Sequence, residues 1–161
     1  MSDSQTRTKE QPRYTGCFVC GTKNPIGLKV VFYNDDKRVW TEFTPGVEHQ
    51  GYPGIMHGGI LYTLLDETIG RAAYLREMWV MTARMQVRYR HPVPTGSRLR
   101  IEGEIVRVRG RVVEANGRAL LADGTVAAEA SGLFMEIPPP MLNGLKEQVL
   151  EQPSEETTND R

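Results

Sequence analysis

Cysteine, aromatics and net charge are all scarce in this chain. It has two cysteines in 161 residues, 7% aromatic residues, and 20 basic side chains against 20 acidic ones. The cysteines, Cys17 and Cys20, form a single C-x-x-C with no second copy, so the four ligands of a structural zinc site are missing. His49, His57 and His91 have no paired spacing that would complete one, and no metal or cofactor is expected. The plain reading is a pair of small reduced thiols near the first strand. No stretch approaches the roughly 20 apolar residues of a membrane helix, so no membrane association is expected. The N-terminus, MSDSQTRTKEQPRY, lacks the apolar core of a secretory signal, which predicts a cytoplasmic protein. No basic recognition helix or aromatic-basic motif is present, which argues against nucleic acid as a partner.

What remains is ordinary for a globular chain: 39% hydrophobic and 25% charged residues, enough for one domain with one core. Residues 1–12 are polar and aperiodic and read as a disordered tail. The ordered domain is expected over 13–138, with a flexible acidic tail over 139–161 that holds a helical turn or two. Nine arginines and three acids fall between Arg84 and Arg118. They fit solvated strand faces, or a patch for an anionic ligand.

Along the domain, LKVVFY and RVWTEF flank the turn Asn34–Lys37 and predict a hairpin. From Gly58 to about Arg76, apolar residues recur at helical spacing in a wide stripe, which predicts a helix buried on most sides. Met85, Val87 and Tyr89 then alternate with arginines as a strand. In the next strand the alternation slips at Val106, which predicts a β-bulge. Gly110 marks a reversal, and Asp123-Gly124 a hairpin turn. Asn116-Gly117 is passed over as a turn because it would leave strands too short. The prediction is α+β: a curved antiparallel sheet wrapped around one long central helix, with a free edge for a second subunit.

The candidate site lies in GIMHGGILYTLLDETIG, residues 54–70. Glycines at a helix start let another group approach amides that have no internal partner and sit at the positive end of the dipole. Such amides hold an anion or polarise a carbonyl oxygen. Asp66 sits where an ionised, unpaired acid would cost several kcal/mol. It is either a cleft carboxylate or one satisfied by a nearby cation such as Arg71. Glu67 points about 100° away, toward solvent or an ion pair. Helix start and Asp66 lie about two turns apart, on the order of 10 Å. A single substrate carbonyl therefore cannot touch both within one chain, and cooperation would require a dimer.

His57-Gly58-Gly59, Asp66 nine residues after the histidine, the strand TARMQVRYRHPVP and the segment CFVCGTKNPIGL together resemble the hot-dog fold acyl-CoA thioesterases. They are most similar to the PaaI-like group. The resemblance runs from about Cys17 to Ile137 and implies the hot-dog fold, an acyl-CoA substrate, and a homodimer or dimer of dimers. It implies that Gly59 polarises the thioester carbonyl and that His57 shapes that turn. Asp66 would act as nucleophile or general base, and Thr82 would orient the water. Gln50 stands where relatives place an asparagine that assists the carbonyl. Gly58 and Arg90 are expected to contact coenzyme A, and Glu67 is a second candidate acid. A hot-dog hydratase or dehydratase using His49, or a non-catalytic acyl-CoA sensor, are the competing readings.

Overall fold

The computed structural model describes residues 8–146 and 150–151. Short strands β1 (Lys9–Glu10), β2 (Arg13–Tyr14) and β3 (Phe32–Asn34) precede β4 (Arg38–Phe43). Helix α1 (Gly58–Arg71) follows and tightens into a 3-10 turn over Ala72–Arg76. Four long strands come next: β5 (Val80–Tyr89), β6 (Leu99–Arg109), β7 (Val112–Leu121) and β8 (Val126–Glu136). Helix α2 (Pro139–Lys146) and β9 (Leu150–Glu151) end the described chain.

One antiparallel sheet runs β1-β3-β4-β6-β7-β8-β5, and α1 packs on β4 through β8. This is the single-helix, wrapped-sheet arrangement expected from the sequence. The bulge expected at Val106 falls between Ile105 and Arg107. Gly110 has φ +56 and Gly124 φ +85, both in the region that favours glycine, and Asn116-Gly117 lies inside β7. No helix of the described residues is long and apolar enough to cross a membrane.

Three expectations need correction. Lys9–Glu10, read as part of a disordered tail, pairs with Tyr33 and Asn34 at the sheet edge, and Gln11 beside it is 1% exposed. The expected strand LKVVFY joins the sheet only from Phe32, because Leu28 and Val30 donate instead to the carbonyls of Phe18 and Val19. The tail holds the expected helical turns in α2, but it is not simply flexible, since its strand β9 pairs with β2; residues 1–7, 147–149 and 152–161 lie outside the described residues.

Leu61, Leu64, Leu65, Thr68 and Ile69 form the buried stripe of α1, and burial of each large aliphatic contributes roughly 1.5–3 kcal/mol. The opposite side is more open than the wide stripe implied: Tyr62 is 38% exposed. At Ile69 the helix lies almost on the sheet backbone. A Cβ at Gly117 would come within 2.3 Å of Ile69 Cγ2 and 2.6 Å of the Glu102 carbonyl oxygen. Gly117→Val is therefore expected to destabilise the fold by about 3 kcal/mol through overpacking. A urea titration checks this, and an unchanged midpoint would mean that α1 does not seat there.

Candidate active site

The first end of the site is the start of α1. His57 is its N-cap, with φ −63 and ψ 131, and its Nδ1 accepts the Gly59 N–H at 2.8 Å. The His57 carbonyl accepts from Ile60 at 3.0 Å and Leu61 at 3.2 Å. The first-turn amide left without an acceptor among the described residues is that of Gly58, not the expected Gly59. The His57 N–H donates to the His49 carbonyl at 2.8 Å, fixing the turn from behind. Tyr89, at the end of β5, donates its hydroxyl to the Gly58 carbonyl at 2.8 Å. Burial, helped by the neighbouring Tyr62, pushes the Tyr89 hydroxyl above its ordinary pKa, which keeps it a donor. A cavity of about 210 Å³ opens here, lined by Gly58, Leu61, Tyr89, Arg90 and His91 among others.

The second end lies two turns along α1. Thr82 at the start of β5 donates its hydroxyl to Asp66 Oδ1 at 2.7 Å. That bond is the one partner of Asp66 among the described residues, so lone pairs on the carboxylate stay free for a water or a substrate. Asp66 and Thr82 line a cavity of about 200 Å³ with Tyr74, Met78, Trp79 and Phe134. Glu67, one residue on, is in a different situation. Arg71 Nε donates to its Oε1 at 2.9 Å. The same guanidinium reaches the Pro12 carbonyl at 3.0 Å and Cys20 Sγ at 3.0 Å, and stacks 4.4 Å from the Phe32 ring. The arginine considered as a partner for Asp66 thus pairs with Glu67; both acids line the cavity, but Asp66 has no cation partner among the described residues.

The remaining candidates are less central. Gln50 Oε1 accepts from the Gly54 N–H at 3.0 Å and braces its own loop. Arg90 is committed to Glu129, with Nε at 3.0 Å and Nη2 at 2.7 Å. Most of the arginines that follow are paired too, Arg98 with Glu42 and Arg118 with Glu102 for example. Arg84 and Arg88, on β5, have no acidic partner among the described residues. His49 Nδ1 accepts from the Gly46 N–H at 2.9 Å, and its ring packs edge-on against Phe43 at 5.0 Å. The acid beside it is the exposed Glu48, 3.7 Å from Nδ1, and His49 lines neither cavity, which weakens the support for a hydratase. A depression of about 810 Å³ on the outer sheet face runs along Arg88, Glu102 and Arg118, and contains neither Asp66 nor Gly58. Tyr89 was missed as a site-forming residue by sequence reasoning, and Arg71, considered there as a partner for Asp66, pairs with Glu67 instead. Tyr89 carried no signal beyond strand alternation, whereas Arg71 stands four residues after Glu67, the spacing of a helical ion pair.

The Thioesterase superfamily profile matches residues 53–128, which span α1, β5, β6 and β7. The chain is 32% identical over 105 residues to acyl-coenzyme A thioesterase THEM4 of Rattus norvegicus, covering 64% of this chain and 45% of the rat protein. It spans about half the length of the curated relatives it matches. Among solved structures, a thioesterase superfamily protein superposes with a TM-score of 0.71 at 33% identity, covering 75% of this chain and 60% of that one. The PaaI protein of E. coli superposes with a TM-score of 0.65 at 14% identity, over 69% of this chain and 81% of its own, a likeness of fold. With the helix, sheet and matched segment in agreement, the chain has the hot-dog fold, and its residues 53–128 are similar to the thioesterase superfamily.

Proposed function

We propose that this chain hydrolyses an acyl-CoA thioester to a free acid and coenzyme A, at a site shared between two subunits. The observation that carries the reading is the Asp66–Thr82 pair, a cavity carboxylate held by one hydroxyl at 2.7 Å while the neighbouring acid is neutralised by Arg71. The named activity of the curated relatives supports the substrate class.

Strand β5 supports the sharing. It is the sheet's edge, and most of its residues are exposed. It runs back along α1, so Thr82 lies beside Asp66 and Tyr89 beside Gly58. Two copies joined edge to edge through β5 about a twofold axis run antiparallel. The Thr82 end of one strand then faces the Tyr89 end of the other, which brings Asp66 toward Gly58 of the partner subunit. A long exposed edge left unpaired would be an aggregation hazard, and this pairing removes it.

The chemistry follows. The Gly58 N–H, at the positive end of α1, stabilises charge that develops on the thioester oxygen. Asp66 accepts a proton from water, whose oxygen bonds to the carbonyl carbon. The tetrahedral adduct then collapses and expels the coenzyme A thiolate, a good leaving group, so no Ser-His-Asp triad is needed. Attack by Asp66 itself, through an anhydride, uses the same geometry. Arg90 borders the Gly58 cavity, and Arg84 and Arg88, without an acidic partner among the described residues, are further cations on the shared edge that could meet coenzyme A phosphates.

Free-thiol release from a panel of aryl, short, medium and long acyl-CoA thioesters tests this reading. Turnover of at least one class is expected. Tight binding without turnover across the panel would favour the sensor.

A further inference from the structure

Cys17 and Cys20 take no part in this mechanism, yet they stand in the wall of the Asp66 cavity. Their turn is closed by the Gly21 N–H, which donates to the Cys17 carbonyl at 2.9 Å. A Cβ at Gly21 would lie 2.5 Å from Cys17 N and O, so the turn requires glycine there. Inside it, the amides of Val19 and Cys20 donate to Cys17 Sγ at 3.3 and 3.4 Å. The sulfurs and a Glu67 oxygen all lie within 4.8 Å of one another. Both cysteines border the cavity, Cys17 half-buried and Cys20 buried against Arg71.

A metal is the first thing such a cluster suggests, but the donors argue against one. There are three of them, and the Arg71 guanidinium already sits on both Cys20 Sγ and Glu67 Oε1 as a fixed cation. The asymmetry instead matches a dithiol with an attacking and a resolving sulfur. The Cys20 S–H bond to Cys17, with help from the two amides, lowers the Cys17 thiol to about 6, against burial and the nearby Glu67 charge. The same bond, together with burial, pushes Cys20 up, so Cys20 keeps the proton.

We propose that Cys17 and Cys20 are a modification site, a dithiol that a hydroperoxide oxidises to an intramolecular disulfide. The Cys17 thiolate attacks one peroxide oxygen; the S–O bond forms as O–O breaks, and the departing hydroxide takes a proton to become water. Cys20 then gives up its proton and attacks the Cys17 sulfur of the sulfenic acid. The S–S bond forms, the S–O bond breaks, and a second water leaves. The two electrons lost by the sulfurs reduce the peroxide, and an external dithiol reverses the change.

The full chain, reduced, chelator-treated and freed of reductant, is exposed to hydrogen peroxide, and its thiols are then counted after denaturation. With two cysteines in the sequence the count is unambiguous. Both thiols should disappear together, with the mass falling by two hydrogens and dithiothreitol restoring both. Cys20→Ser should stop at a sulfenic acid that dimedone traps on Cys17. Retention of both thiols, a disulfide between chains, or zinc that co-purifies in stoichiometric amount and shields the thiols would each overturn the proposal. The wild-type measurement decides even if a variant fails to fold, and it is independent of any thioester turnover.

Discussion

Asp66→Asn is expected to lower acyl-CoA turnover by about 10³-fold, the loss typical of removing a general base. Asparagine has the same shape, and its Oδ1 can still accept the Thr82 hydroxyl, so fold and oligomeric state should be unchanged. What it loses is the capacity to take a proton or to form an acyl bond. Glu67→Gln is the matched comparison. It breaks the pair with Arg71, whose two side chains are 26% and 16% exposed, and should cost about 1 kcal/mol of stability. Turnover should stay within several-fold of the parent. Thiol-release kinetics alongside a thermal melt separate the two outcomes. Full activity in Asp66→Asn with none in Glu67→Gln would reverse the assignment of the two acids.

Gly58→Pro should have the second largest effect, a loss of about 10²–10³-fold in turnover with little change in stability. Proline is well accepted at the first position of a helix, because the N–H it removes has no internal partner there. His57, the residue before it, already has the extended backbone that proline demands of its neighbour. Gly58→Ala is the control for bulk. It keeps the N–H, and its Cβ would make ordinary contact with the Tyr89 ring at 3.5 Å. Kinetics of both variants check the point. Equal losses would mean that space at Gly58 matters rather than its amide.

Much of the fold was legible in the sequence. Strand alternation, its slip at Val106, and the turns at Gly110 and Asp123-Gly124 are local signals, and local geometry fixes them. The pairing of Lys9–Glu10 was not legible, because a short polar segment becomes a strand only through the partner that β3 offers. Asp66 and Glu67 looked alike as neighbouring acids on one helix. Their difference was nonetheless present in the chain, since Glu67 and Arg71 stand at i and i+4. The Gly58 and Gly59 amides were also distinguishable in principle. A capping side chain accepts from the second or third helical amide, and with His57 as cap the second belongs to Gly59. The Tyr89 contact with Gly58 joins residues 31 apart and required the sheet.

The central claim is that Asp66 and Gly58 act across a subunit boundary, and mixing variants tests it most directly. Asp66→Asn and Gly58→Pro chains are unfolded together, refolded as a mixture, and assayed for thiol release. In a twofold dimer each mixed pair rebuilds one intact site and leaves the other doubly broken. Random assortment then predicts recovery of about one quarter of parental activity from two nearly inactive proteins. Activity no higher than the average of the two variants, with mixed dimers verified, would place both groups within a single chain and contradict the account.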